Sequence, residues 1–393
     1  MIFTAKPSVH KAFRQILPAI VTVFSLMFSV AGHASDDAEG KFKPGEMIMH
    51  HISDAHSIHM WGHTSIPLPV ILYTDKGLDI FMSSNFWDEH HNMVPYTSPK
   101  TGYTYENHHE KIVIVEPGAA HIHVADTLSA DTLHAEAPAV HAEADHGHEA
   151  ASHGSLIDFS ITKSVFGMMF ILALLVFVFL RVAKAYKKKG APKGLQNVME
   201  ALVLFIRDEV AIPSLGKKRA KKFLPLMLTL FFFIWGCNLL GLIPFLGGFN
   251  ITGTLSITLV LATIVFIVTS VNGNGHYWGH IFWPPGVPFF VKLILVPIEI
   301  ASVFIKPAVL MIRLTANITA GHIVILAFVS LVILFGANGM IAGYSVGVGA
   351  SLFMIFMFFI ELLVSFLQAY VFVLLTALYL SDATQEHHHE DHH

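Results

Sequence analysis

Beyond residue 155 the chain is mostly long apolar runs separated by short polar breaks. Residues 160–182 form the first run. Residues 195–211 place Leu195, Val198, Met199, Leu202, Leu204, Phe205 and Ile206 with helical periodicity, which predicts an amphipathic helix lying in a membrane interface. Residues 223–246 and 251–271 are two more apolar runs, split by Gly247-Gly248, and a polar Gly/Pro-rich loop (272–288) follows. Residues 289–335 are then almost continuously apolar. As a helix rising about 1.5 Å per residue they extend roughly 70 Å, against a hydrocarbon core about 30 Å thick. That element must lie far from the membrane normal or break, and Pro297, Pro307 and Gly321 are its bend points. Residues 336–350 read as a turn and 351–380 as a last long segment.

The first 155 residues have another pattern. Lys6, Lys11 and Arg14 precede an apolar stretch at 16–30, and Gly32-His33-Ala34 offers small residues at a cleavage site. This is the pattern of a secretory signal (1–34), with an uncleaved anchor as the alternative. Residues 35–155 are then exported. Within them, 66–84 alternate as a β-hairpin around a three-residue loop, Asp75-Lys76-Gly77, and 111–115 (KIVIV) add a strand. Residues 121–155 are an Ala/His/acidic tract with almost no large apolar side chain, which predicts a disordered tether.

Composition sharpens this. Of 393 residues 54% are hydrophobic and 13% charged, with 32 Phe. Soluble domains run near 25% charged, so a soluble enzyme, a disordered protein and a nucleic-acid binder are excluded. One cysteine, Cys237, excludes an intramolecular disulfide framework, a multi-Cys zinc site and an iron–sulfur cluster. Residues 35–155 hold 18 acids, 5 bases and 16 of the 26 histidines, whereas residues 181–222 hold 12 of the 24 bases. The basic band marks the cytoplasmic side, with the head outside and the C-terminus inside. The expected fold is an all-α polytopic membrane protein with about five to six membrane helices, two of them long and tilted, plus an extracytoplasmic β-hairpin region. The expected domains are the signal 1–34, the His-rich region 35–120, the linker 121–155, the membrane domain 156–381 and a His-rich tail, 382–393.

The head histidines (His50, His51, His56, His59, His63, His90, His91, His108 and His109) invite a metal reading, but no tight ligand spacing falls on a confident helix. No metal and no other cofactor is assigned. Residues 223–381 contain just five charged side chains: Lys292, Glu299, Lys306, Arg313 and Glu361. The first four are spaced by sevens and share one stripe of a helix. A charge at mid-bilayer costs about 2.5–3.5 kcal/mol or more. Lys292 can snorkel to the loop, but Arg313 has apolar residues on both sides. A guanidinium is always charged, so Arg313 suits a fixed electrostatic post facing a partner's carboxylate. Glu361, Ser365 and Gln368 share one helix face, and Glu361 with His322 makes a candidate proton relay; a plain helix–helix hydrogen bond is the alternative. Asn238 reads as packing or channel lining.

Three motifs, NLLGLIP (238–244), KPAVLMIRLTANITAGH (306–322) and Glu361 with LQAYVF (367–372), resemble the a subunit of the F-type ATP synthase membrane sector, over roughly residues 160–381. The resemblance implies a stator whose two long tilted helices hug a rotating ring of c subunits, with the b subunit of the peripheral stalk, the rest of the complex and the bilayer as partners. It implies that Arg313 is the essential arginine facing the c-ring carboxylate, with Asn317 one turn beyond and Gln368 packed near it. His322 and Glu361 match the acid/histidine pair of the outward half-channel, Asn238 lies near its entrance, and Glu299 and Ser302 match the cytoplasmic half-channel. Gly241 stands where some members carry an acid. The implied location is the bacterial inner membrane. The chain has no phosphate-binding G-x-x-x-x-G-K-[ST] loop, so it is expected to be a non-catalytic subunit. The alternative is a metal-cation secondary transporter with a His-rich scavenging head; it predicts internal repeats, and none is evident.

Overall fold

The computed structural model describes residues 52–61, 64–88, 93–108, 110–115, 156–187, 194–243, 248–284, 286–337 and 340–384, with residues 44, 45 and 48. The expected signal segment, tether and His-rich tail beyond Thr384 lie outside these residues, as do His50, His51, His63, His90, His91 and His109. The chain divides into two compact units: Met1–Ile66 with Thr162–His393, and Pro67–Ile161.

The larger unit is helical. Its helices are α1 (Lys163–Ala185), α2 (Leu195–Phe205), α3 (Ile212–Gly241), α4 (Leu255–Val271), α5 (Gly275–Phe282), α6 (Phe289–Ala337) and α7 (Met340–Thr384). Thr162 caps α1 by accepting from the Val165 amide. Among the described residues four helical runs are long and apolar enough to cross a membrane, or five if α4 and α5, bent by 103°, make one broken span. This is a polytopic membrane fold at the lower end of the expected five to six helices.

Four boundaries differ from the sequence reading. The amphipathic stretch 195–211 is helical as expected, and a π-helical turn, Ile206–Ala211, carries it on into the start of α3. At Gly216 (φ +71°, ψ +161°) the backbone leaves helical geometry, and this kink divides the 47-residue run from Leu195 to Gly241 into two helical pieces. The Gly/Pro-rich segment 272–288 is only partly loop, because α5 forms inside it. Residues 340–350 are helix rather than turn. Glycines there leave φ/ψ permissive, and the apolar environment favours closing backbone hydrogen bonds within the segment. The expected tail from residue 382 likewise begins inside α7.

α6 packs along α7, α7 on α3, α4 on α6 and α1 on α3. The α3–α7 seam is aromatic. Phe231 and Trp235 meet Phe366 edge-on, at centroid distances of 5.5 and 5.8 Å, and Phe205 reaches Tyr370 at 5.6 Å. Leu310, Leu314 and Ile318 turn one stripe of α6 inward. In the apolar window of the run 195–241, 56% of residues are buried, but only 11% and 17% in those of α6 and α7. Most of the apolar surface of the two long helices is therefore left for lipid or a partner.

The smaller unit holds β1 (Pro69–Thr74) and β2 (Gly77–Met82), an antiparallel hairpin in which Thr74 faces Gly77. The expected loop of three residues is a turn of two, Asp75-Lys76, with Gly77 at φ +123° opening β2. A short strand at Ile157–Asp158 extends the sheet beside β1. A second sheet pairs Tyr96–Thr97, Thr104–His108 and the expected strand Lys111–Val115. Val70, Leu72, Phe81, Phe86, Tyr105 and Ile112 form the core.

One charge sits in that core. Asp79, 2% exposed, accepts hydrogen bonds from Ser98 (2.8 Å), Tyr105 (2.6 Å) and Thr101. Burial alone pushes its carboxyl up, but the Thr101, Tyr105 and Ser98 hydroxyls and the Lys100 charge outweigh it, and the net shift is down from 3.8. Burial and the bond to Asp79 push Tyr105 up to about 12. A depressed carboxyl contributes stability above its unfolded pKa and loses it as pH falls through the folded one. Asp79→Asn is therefore expected to destabilise this unit by about 2 kcal/mol at pH 7, read by thermal unfolding monitored through near-UV tyrosine dichroism. The gap from wild type should close as pH falls below 3.8.

Candidate functional site

α6 carries the four charges spaced by sevens, and the structure treats them differently. Lys292 Nζ lies 4.3 Å above the Trp283 ring. Glu299 lines an open cavity. Lys306 Nζ is 3.5 Å from Asp382 Oδ2 and stands over the Tyr379 ring. Arg313 has no hydrogen-bond or ion-pair partner among the described residues. It is exposed on the face of α6 that also carries Ile312, Ala316, Asn317 and Ala320, beside the inward Leu310–Leu314–Ile318 stripe. A permanent cation stands on an apolar surface, flanked by small side chains that admit close approach.

Toward the C-terminal end of α6 lies a buried polar cluster. Asn238 on α3 donates to the Ser365 carbonyl on α7 at 3.1 Å and accepts from Thr252 Oγ1 at 2.6 Å. Glu361, Ser365 and Gln368 are all buried on one face of α7. Glu361 Oε2 and Ser365 Oγ have no hydrogen-bond partner among the described residues. Such atoms cost about 1–3 kcal/mol each, so the cluster is not arranged for stability alone. Two glycines clear its space. A Cβ at Gly321 would lie 2.7 Å from Glu361 Oε1. One at Gly241 would lie 2.7 Å from the Phe249 carbonyl and 3.3 Å from His322 Nε2. Any side chain at Gly241, an acid included, would need its neighbours to move. The Glu361 carboxyl thus rests over Gly321, the residue before His322.

Toward the N-terminal end of α6 is a second polar region. A 270 Å³ cavity is lined by His276 and His280 of α5, Glu299, Ser302 and Lys306 of α6, and Asp382 of α7. Ser302 donates to the Glu299 carbonyl at 2.7 Å, which ties its hydroxyl to the cavity wall. Along the helix, Glu299 is about 21 Å and His322 about 14 Å from Arg313. The arginine therefore stands between the two polar regions.

The structure brings Asn238, His322, Glu361 and Gln368 to one region, Glu299 and Ser302 to the other, and Arg313 with Asn317 to the exposed face between. Sequence reasoning missed Thr252, His276, His280 and Asp382. The two histidines are four residues apart, one turn of a helix, but that signal was hidden because the segment read as loop. Thr252 carries no signal at all until Asn238 is placed beside it.

The family described as ATP synthase A chain matches residues 166–381. Residues 47–135 match a separate family described as a domain of unknown function. The ATP synthase subunit a of Chlorobium phaeobacteroides is 40% identical over 244 residues, covering 60% of this chain and 68% of that protein. The ATP synthase subunit a 2 of Chlorobaculum tepidum is 44% identical over 246 residues, covering 60% and 66%. The ATP synthase subunit a of Myxococcus xanthus is 39% identical over 244 residues, covering 60% and 77%. The alternative of a metal-cation transporter finds no support in these relatives. The family match runs from the first turn of α1 nearly to the end of α7, and the chain belongs to the ATP synthase A chain family.

Proposed function

We propose that this chain is the proton-conducting stator subunit of an F-type ATP synthase, seated beside a rotating ring of c subunits, with Arg313 facing the ring's carboxylates. The observation that carries the reading is the unpaired Arg313 on the exposed face of α6. A guanidinium there is stabilised by an ionised carboxylate brought to it in low dielectric, and by little else.

The proton path follows from the two polar regions. A proton enters past Asn238, His322, Glu361 and Gln368 and neutralises a ring carboxylate, which can then leave the cation and face lipid. The returning carboxylate is ionised opposite Arg313, with Asn317 one turn away. Its proton leaves through the Glu299–Ser302 cavity. Arg313 keeps the two paths apart, because an excess proton is repelled by a fixed cation. The driving force is about 2.3 kcal/mol per charge for each 100 mV. The chain lacks a phosphate-binding loop, so nucleotide chemistry is assigned to other subunits, and the b subunit of a peripheral stalk holds the stator still. The basic band at 181–222 orients the protein in a bacterial inner membrane, with the cavity and the C-terminus cytoplasmic and residues 35–155 outside.

Arg313→Ala is expected to abolish ATP-driven acidification of inverted membrane vesicles while the complex still assembles. Undiminished pumping by that variant would sink the assignment. Gly321→Ala places a methyl group against the Glu361 carboxyl, and should slow passive proton conduction through the membrane sector several-fold. Gly336→Ala, with nothing within 4 Å of the new carbon, should leave conduction unchanged. Equal rates in the two would remove Glu361 from the path.

A further inference from the structure

The sheet formed by Pro69–Thr74, Gly77–Met82 and Ile157–Asp158 carries apolar side chains on both faces. Val70, Leu72 and Phe81 point into the core. The register places Tyr73 opposite both Leu78 and Ile157, and Ile71 opposite Ile80, on the other face. The Phe159 amide donates to the Ile71 carbonyl at 2.9 Å, which brings Phe159 to that face as well. Tyr73, Leu78, Ile80, Met82, Ile157 and Phe159 are all exposed there, Ile80 at 65% and Phe159 at 64%. No outward position on this face carries a charge. An antiparallel sheet with one solvated face alternates apolar with polar positions. A contiguous apolar patch rimmed by polar residues is the mark of a surface that binds protein or membrane.

The chain itself indicates the occupant. Sheet hydrogen bonding does not stop at Asp158: the Ile161 amide donates to the Pro69 carbonyl at 3.1 Å. The next residue, Thr162, caps α1, the first helix able to cross a membrane. Phe159 and Lys163 are four residues apart, at most about 14 Å of extended chain, so the bilayer boundary at the start of α1 is within reach of the patch. A tyrosine and a phenylalanine among aliphatic side chains suit the boundary between headgroups and acyl chains.

We propose that this sheet face docks on the surface of the bilayer where α1 begins, with lipid as its occupant. The region assigned only to a domain of unknown function would then be anchored on the membrane rather than held free of it. The inference does not rest on the proton path and survives if that reading fails.

The test uses the assembled complex in liposomes. Cysteine is introduced at Ile80→Cys, at Phe159→Cys on a different strand, and at Lys111→Cys in the second sheet as a control. Each is labelled with an environment-sensitive fluorophore; native Cys237 is buried. Docking predicts blue-shifted emission at Ile80 and Phe159, strong quenching by acyl-brominated lipid and weak quenching by aqueous iodide, with the reverse at Lys111. Equal iodide quenching at all three positions would overturn the proposal. Labels at Ile80 and Phe159 shielded from both quenchers would also overturn it, and would assign the face to a protein partner.

Discussion

A cation that cannot lose its charge, held on an apolar helix face, is the constraint to which the rest of the membrane unit answers. Arg313 could be removed from lipid by turning α6, but Leu310, Leu314 and Ile318 fix the opposite rotation by packing inward. The other three charges of the stripe are settled locally: Lys292 by Trp283, Lys306 by Asp382 and Tyr379, Glu299 by its cavity. The helix thus satisfies every charge it can within the chain and leaves one unsatisfied. Such a site makes energetic sense only where a partner supplies the counter-charge. The small residues Ala316 and Ala320 beside it leave room for that approach.

The length of the two long helices belongs to the same argument. At about 1.5 Å per residue, α6 and α7 each extend roughly 70 Å, more than twice the hydrocarbon thickness. Upright helices of that length would leave long apolar stretches in water. Tilted helices lay that length along the membrane and keep side chains on one face within the bilayer over many turns. Pro297 and Pro307 remain inside α6 without ending it. A tilted α6 sets the two polar regions apart along the membrane plane as well as in depth, so neither region has to be a continuous pore. Glu361 and Ser365, buried with unpartnered atoms, are tolerated because α7 is held against α3 by the aromatic seam of Phe231, Trp235 and Phe366.

Much of this was legible in the sequence because it is periodic. Charges at intervals of seven announce a helical stripe, and Glu361, Ser365 and Gln368 announce a polar face, before any coordinate is known. What stayed hidden depends on partners far away in sequence. Asn238 was ambiguous until its bonds to Thr252 and the Ser365 carbonyl were placed. His276 and His280 were lost because glycine and proline around them mimic a loop, although α5 needs only eight residues of helix between those breakers. The amphipathic stretch was ended too early: the helix carries on past Pro213, which stands at the start of α3, and breaks only at Gly216. The role of Gly241 was read from an absent acid, whereas the structure gives it a steric reason in His322 and the Phe249 carbonyl.

The smaller unit obeys a different economy. A unit this small has little core to draw on, and each of its two sheets gives an inward position to a polar group, Asp79 in one and Tyr105 in the other. A carboxylate surrounded by three hydroxyl donors fixes the registry between the two sheets more strictly than another leucine would, since the donors must all arrive at once. The cost is apolar area that would otherwise be buried. That deficit makes an outer face of Tyr73, Leu78, Ile80 and Met82 harder to keep in water, because each exposed apolar side chain forgoes stabilisation that the inner core cannot replace. Covering that face recovers it. Under the proposed docking the sheet is buried on both faces, and the few residues of chain between Phe159 and the start of α1 keep the bilayer within reach of it.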